Sequence, residues 1–334
     1  MSFEDIIGHD RQIAYLRNAM RNGRVAHAYL FLGKEGIGKK FFALNLAKAL
    51  NCPRGNEDCC DECVSCLKVD RLHHPDVLLM EPQGQWIRIN QIRDLQRELS
   101  HRPYEGKRRV CILADSDRMR QEAANALLKI LEEPPLHTVL ILLAANGDLM
   151  LPTITSRCQR IPFNPLPIDR ITEIIRSRLN LKSEEAHILA CLADGSLGKA
   201  LEMDLDLVLR IRREIIGKII ALPSYAAEEI LGFAEELATS NEDLPTLLTI
   251  IHSWYRDLLT YKERRSGAQL INIDLSQEIQ KAALGMDSSS LINRMEVIQG
   301  ALWNVDRNAN RQITLEAMLL DLGRRKNQHA NRWS

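Results

Sequence analysis

The chain has 334 residues, 45% hydrophobic and 26% charged, with Lys+Arg and Asp+Glu both at 44 for a formal net charge of zero. This length predicts two to three domains with cores that need no covalent staples, and the charge balance argues against a protein that coats nucleic acid through its overall field while leaving room for a local basic patch. No apolar run approaches the ~18 residues of a membrane span, and Met1-Ser2-Phe3-Glu4-Asp5 has no secretory-signal pattern, so the expected compartment is the reducing cytoplasm.

In chain order, Ala28–Leu32 (AYLFL) is a buried-strand candidate followed by a glycine-rich turn. Residues 40–50 then place Phe42, Leu46, Ala49 and Leu50 at helical spacing. Residues 76–80 (DVLLM), 110–114 (VCILA) and 138–143 (TVLILL) are three more apolar runs of strand length. Between the last two, residues 121–133 form a helical pattern closed by Pro134-Pro135. Strands alternating with helices predict a parallel sheet covered on both faces. Pro162, Pro165 and Pro167 mark a linker, after which the β-runs vanish. Residues 168–204 read as a small helical unit, and 205–323 as longer amphipathic helices broken near Pro223, Pro245 and Gly285. The polar tail 324–334 is expected to fray. The fold class is α/β plus all-α, one sheet domain followed by two helical ones.

Gly33-Lys34-Glu35-Gly36-Ile37-Gly38-Lys39 lies between the first strand and its helix. In that context backbone N–H groups cradle phosphates and the lysine reaches the terminal ones; a ligand-free glycine turn is the alternative. The next position asks for Ser or Thr to ligate Mg²⁺, and here it is Lys40, which holds phosphate as a point charge but ligates no metal. Asp115 follows the apolar run 110–114, where a magnesium-organising carboxylate belongs; a strand-end or helix-cap aspartate is the other account. The water-orienting glutamate expected beside it is Ser116, and Asp117, on an extended segment, would point away from that side.

Cys52, Cys60, Cys63 and Cys66 form C-x7-C-x2-C-x2-C, a set that suits tetrahedral zinc, with a redox or iron–sulfur role or inert thiols as the alternatives. The segment around Pro53, Gly55, Asn56, Asp58 and Asp61 has no apolar periodicity and needs a metal to be ordered. Cys59 is one thiol too many: a spare, or an exchange for Cys60. His73-His74 is an alternative ligand source, or part of a loop entering the 76–80 strand. Cys111 and Cys191 read as core thiols.

Phe3-Glu4-Asp5-Ile6-Ile7-Gly8, His27-Ala28-Tyr29-Leu30-Phe31, the four-cysteine insertion, residues 125–135 (NALLKILEEPP) and Ser156-Arg157-Cys158 together resemble bacterial clamp-loader ATPases of the AAA+ class. The likeness runs from the start to about residue 200 and returns at 308–322 (NANRQITLEAMLLDL), similar to the last helix of a collar domain. It implies a nucleotide-binding-like domain at 1–166 with a zinc insertion at about 52–66, a helical lid at 167–206 and a collar for oligomerisation at 207–334. The implied nucleotide-contacting residues are Gly33, Gly36, Gly38, Lys39, Lys40 and Asp115. Hydrolysing gamma/tau subunits keep an intact loop, a strand ending in Asp-Glu, first-sensor threonines and a lid arginine. Here Lys40, Ser116, Ala145, Asn146 and Gly198 stand at those places, with Lys199 as an adjacent cation.

The resemblance therefore implies a stator that assembles with delta and gamma/tau subunits and acts through them on a sliding clamp and primer-template DNA. Arg157 would serve a neighbouring site as an arginine finger, an element worth ~10³–10⁵ in rate; without the family context it reads as a surface arginine in a local ion pair. Zinc is the expected structural cofactor, ATP is an open one, and magnesium is disfavoured. A hydrolysing subunit using its own Gly33–Lys39 loop is the rival. A zinc-dependent nucleic-acid binder is disfavoured by zero net charge and 5% aromatics. Leu127, Leu128 and Leu131 read as helix packing, and Lys107, Arg108, Arg109, Arg118 and Arg120 as a solvated face, with DNA phosphates as the alternative contact.

Overall fold

The computed structural model describes residues 2–55, 57–240, 243–264, 270–307 and 309–324. Asn56 and most of the polar tail expected to fray lie outside the described residues. The chain divides into two compact units, Met1–Pro167 with Gly195–Gly198, and Ile168–Asp194 with Lys199–Ser334.

The first unit runs α1 (Asp10–Arg21), β1 (Ala28–Leu32), α2 (Lys39–Asn51), α3 (Val64–Asp70), β2 (Val77–Met80), α4 (Ile89–Leu99), β3 (Arg109–Leu113), α5 (Gln121–Glu132), β4 (Thr138–Ala144), the one-turn α6 (Pro152–Thr155) and β5 (Gln159–Pro162). Its sheet has the order β2-β3-β4-β1-β5 and is parallel throughout, with Leu30 opposite Leu142 on one side and Arg160 on the other. This is the parallel sheet, covered on both faces, that the alternating pattern predicts.

The period of two in a strand explains how one apolar run serves two cores. Val139, Ile141 and Leu143 of β4 join Tyr29, Phe31, Val110, Ile112 and residues of α2 on one face. Leu140, Leu142 and Ala144 join Leu30, Cys111, Leu113 and residues of α4 and α5 on the other. Each such aliphatic side chain contributes ~1.5–3 kcal/mol on burial. Phe31, Phe42 and Phe163 meet at ring-centroid separations of 5.0–5.7 Å and pack the base of the phosphate loop.

Two expectations are corrected here. Pro162 does not belong to a linker: it ends β5, whose register places it opposite Leu32. Residues 116–118 are not extended but form a 3-10 turn, and Asp115 enters it with a left-handed φ of 47°.

The second unit comprises α7 (Ile168–Leu179), α8 (Ser183–Leu192), the remainder of α9 (Leu197–Glu202), α10 (Leu205–Ala221), α11 (Ala227–Thr239), α12 (Leu244–Arg264), α13 (Ser276–Leu284), α14 (Ser288–Asp306) and α15 (Arg311–Gly323). Pro223 sits in a 3-10 turn and Gly285 caps α13, as the breaks predict. Pro245 instead occupies the first turn of α12, where its missing N–H costs no helical bond. Helix α12 is the spine, packed against α10, α13 and α14. A buried polar knot fastens it: Asp257 accepts from the backbone N–H groups of Ile271 and Asn272, and Arg212 donates to Asn272 Oδ1 at 2.7 Å. Among the described residues no helix is long and apolar enough to cross a membrane.

Candidate functional site

Gly36 and Gly38 hold φ values of 76° and 95°, a region other residues enter only with strain, and so turn the loop between β1 and α2. Gly36 is further confined, because a Cβ there would lie 2.5 Å from Ser196 Oγ. That hydroxyl donates to the Gly36 carbonyl at 2.7 Å. Gly198 backs onto the same carbonyl, 3.3 Å from where its Cβ would be. Gly198 thus faces the loop and brings no charge to it.

Lys39 folds its ammonium back onto the carbonyls of Gly33 and, at 2.8 Å, Lys34. Burial pulls its pKa down, against the fields of Asp117, Asp115 and Glu35. His9 Nε2 lies 3.1 Å from the Ile37 carbonyl, and burial lowers its pKa too, so the neutral ring props the loop from outside. Sequence reasoning quoted the segment up to Gly8 and missed this prop.

The residues present do not fit magnesium. Lys40, at the metal-ligand position, donates to Glu81 Oε1 at 2.6 Å. Ser116 is buried and donates its hydroxyl to the Leu143 carbonyl at 2.9 Å. Asp117 Oδ2 accepts from the N–H groups of Ala145 and Asn146 at 3.0 and 2.9 Å. Ala145 and Asn146 therefore serve the turn through their backbone N–H groups. Neither the Lys40 position nor Ser116 offers Asp115 a hydroxyl to complete an octahedral set.

The four cysteines gather beyond the other end of α2. Cys52, which caps that helix, Cys60, Cys63 and Cys66 place their sulfurs within 4.8 Å of one another, with Cys52 Sγ 3.6 Å from Cys60 and 4.0 Å from Cys63. A tetrahedron of ~2.3 Å metal–sulfur bonds has edges of ~3.8 Å, so the set fits such an ion, and four sulfurs leave no open position for substrate. Backbone N–H groups of Glu62 and Cys63 pull the Cys60 thiol down to about 6, while burial pushes Cys66 up. Cys59 turns away: its Sγ donates to Asp61 Oδ1 at 3.3 Å, and burial pushes it up to about 12. His74 is buried, hydrogen-bonded to Ser65 Oγ at 3.1 Å and to the Asp76 N–H, and belongs to the entry of β2 rather than to the cysteines.

The knuckle is fastened by charge. Lys48 of α2 is almost wholly buried and donates to Asp61 and to Asp70, the latter at 2.9 Å. Burial works against its charge, but the two carboxylates prevail and hold its pKa above the ordinary value. Arg17 pairs with Asp58 at 2.6 Å and Arg21 with Glu57. The signal for these ties was present as acids in and just after the insertion and bases on the preceding helices.

Arg157 follows α6 at the corner entering β5. It donates to the Thr153 carbonyl at 3.0 Å and pairs with Glu132 Oε1, at the end of α5, at 2.8 Å. Its neighbour Cys158 is buried in the core shared with α5, so the backbone is fixed while the guanidinium faces outward. Of the basic residues flanking β3, Arg109 departs from the solvated-face account: it is buried, pairs with Glu98 at 3.3 Å and lies 5.4 Å from the Tyr104 ring centroid.

The family model described as "DNA polymerase III, delta subunit" matches residues 8–167, and "DNA polymerase III, delta subunit, C terminal" matches residues 209–324. The chain is 32% identical over 322 residues to DNA polymerase III subunit delta' of Bacillus subtilis (strain 168), covering 93% of this chain and 95% of that one. To subunit delta' of Pseudomonas aeruginosa it is 30% identical over 308 residues, 88% of this chain and 91% of that one. To DNA polymerase III subunit tau of Bacillus subtilis it is 30% identical over 284 residues, 78% of this chain but 50% of tau. With near-complete mutual coverage by the delta' proteins, the chain belongs to the delta' family of DNA polymerase III subunits.

Proposed function

We propose that this chain is a largely non-hydrolysing stator of a clamp loader, in which residues 207–334 form the collar that joins it to delta and gamma/tau subunits and residues 167–206 form a lid. Arg157 acts in trans on nucleotide held by a neighbouring gamma/tau subunit, and the assembly loads a sliding clamp on primer-template DNA in the cytoplasm. The observation that carries this reading is Ser116: where hydrolysis needs a carboxylate beside Asp115, a buried hydroxyl is committed to the Leu143 carbonyl. Among the described residues no set supports nucleotidyl transfer, and on this reading polymerase chemistry belongs to the holoenzyme.

Zinc at Cys52, Cys60, Cys63 and Cys66 would order the insertion and take no part in chemistry. Gly33, Gly36, Gly38, Lys39 and Lys40 supply the contacts for a nucleotide phosphate chain, with Asp115 at the rim. That loop also keeps alive a second reading, a gamma/tau-like ATPase, since its glycine geometry and Lys39 are intact.

The test is a clamp loader reconstituted from purified subunits. Arg157→Ala is expected to leave assembly unchanged, to cut turnover at the one neighbouring site it serves by ~10³ or more and so to lower total turnover and clamp loading, while Lys39→Ala changes turnover little. Unchanged rates with Arg157→Ala sink the stator reading; a severe Lys39→Ala defect establishes the ATPase.

A further inference from the structure

The misfit between this loop and magnesium has a consequence of its own. On a phosphate loop of the usual kind, Mg²⁺ removes two charges from the nucleotide and is compensated by ligation to a Ser or Thr hydroxyl and a carboxylate. Here the hydroxyl position carries an ammonium, Ser116 and Asp117 are turned to the backbone, and a bound Mg²⁺ would face the like charge of Lys40. A nucleotide without metal presents its full negative charge to Lys39 and Lys40 together.

We propose that the loop takes a nucleoside triphosphate in its metal-free form, with the Lys40 ammonium at the place of the metal, and that Mg²⁺ weakens this binding instead of strengthening it. The inference rests on the reading that the loop holds a nucleotide. Glu81 is the resting partner of Lys40: the pair is 2.6 Å apart with side chains 48% and 56% exposed, so exchanging the carboxylate for a phosphate costs little. Glu81 directly follows β2, which fixes its backbone beside the loop's helix while leaving its side chain free to release.

The experiment is calorimetric titration of the full chain with ATP, in EDTA or in excess Mg²⁺ at matched ionic strength. For the native chain, Mg²⁺ is expected to weaken binding about fivefold or more, the size of one charge interaction near water. Glu81→Gln, which frees Lys40, is expected to tighten metal-free binding, and Lys40→Thr to reverse the sign so that Mg²⁺ strengthens binding. Tighter native binding in Mg²⁺, or a Lys40→Thr chain with the native response to Mg²⁺, overturns the proposal and leaves the nucleotide reading in place. Silence from the native chain with Mg²⁺-dependent binding by Lys40→Thr also overturns it, while keeping the loop as a nucleotide scaffold. Silence from both chains at millimolar ATP removes the nucleotide reading and the proposal with it.

Discussion

The Arg157 guanidinium and the Glu132 carboxylate lie 2.8 Å apart within one chain, with both side chains open to solvent. An exposed pair of this kind is worth ~0.2–1 kcal/mol, so it parks the arginine without locking it. Glu132→Gln is expected to change unfolding free energy by less than ~1 kcal/mol and to leave turnover by a reconstituted assembly at or above the native rate. Arg157→Lys keeps the charge but not the planar fork, and should fail to restore turnover. A Glu132→Gln chain that loses turnover would show that the arginine must stay at home to work.

Cysteine variants separate ligand from bystander. Because Cys60 belongs to the four-sulfur cluster and Cys59 bonds to Asp61, Cys60→Ser should abolish stoichiometric metal while Cys59→Ser retains it. Metal analysis of unchelated protein should find about one equivalent per native chain, as one closed four-sulfur site requires. The opposite pattern between the two variants would reassign the ligand set.

Lys48 tests how the insertion is held. Lys48→Met removes charge-assisted hydrogen bonds to Asp61 and Asp70, each of a kind worth ~1.5–3 kcal/mol; because both carboxylates are partly exposed, the expected loss of stability is ~1–3 kcal/mol. Chemical denaturation measures it, and proteolysis within residues 53–63 should quicken in the same variant. A chain as stable and as resistant as the native one would mean that the sulfurs alone position the insertion.

His9, His74 and His252 are all held below the ordinary histidine pKa, in each case first by burial. In the unfolded chain they take up protons near pH 6.5; in the native chain they do so only at lower pH. The unfolded state therefore binds more protons in that interval, and stability present above about pH 7 is lost as pH falls toward each native pKa. Melting temperature should drop between about pH 7 and pH 5. His252→Gln should flatten part of that slope in the helical unit, which contains none of the four clustered cysteines. A melting temperature constant across the interval would contradict the burial argument.

Much of the sheet is legible in the sequence because β1 to β4 are continuous apolar runs: Ala28–Leu32 matches residue for residue, and the others within one or two positions. Strand β5 is not legible, since only Ile161 of its four residues is buried and a proline ends it; its place comes from pairing to β1, a nonlocal fact. Helix α4 carries a strong apolar stripe through Ile92, Leu95 and Leu99, but polar residues fill the intervals and no run announces it. Spacing finds the cysteine site, yet it leaves Cys59 and Cys60 equivalent until Asp61 claims one of them. Arg109 shows the limit of charge counting: it shares a basic run with Lys107 and Arg108, and the start of β3 carries it inward.

Helix α2 joins the two sites end to end. Gly38 caps its start and Cys52 its finish, about 20 Å apart at 1.5 Å per residue. A rod of under four turns bends little, so the direction of the amides at its start is tied to where the cysteine knuckle holds its finish. A metal held by the four cysteines, closed to substrates, would in this way fix the angle at which α2 presents its first amides.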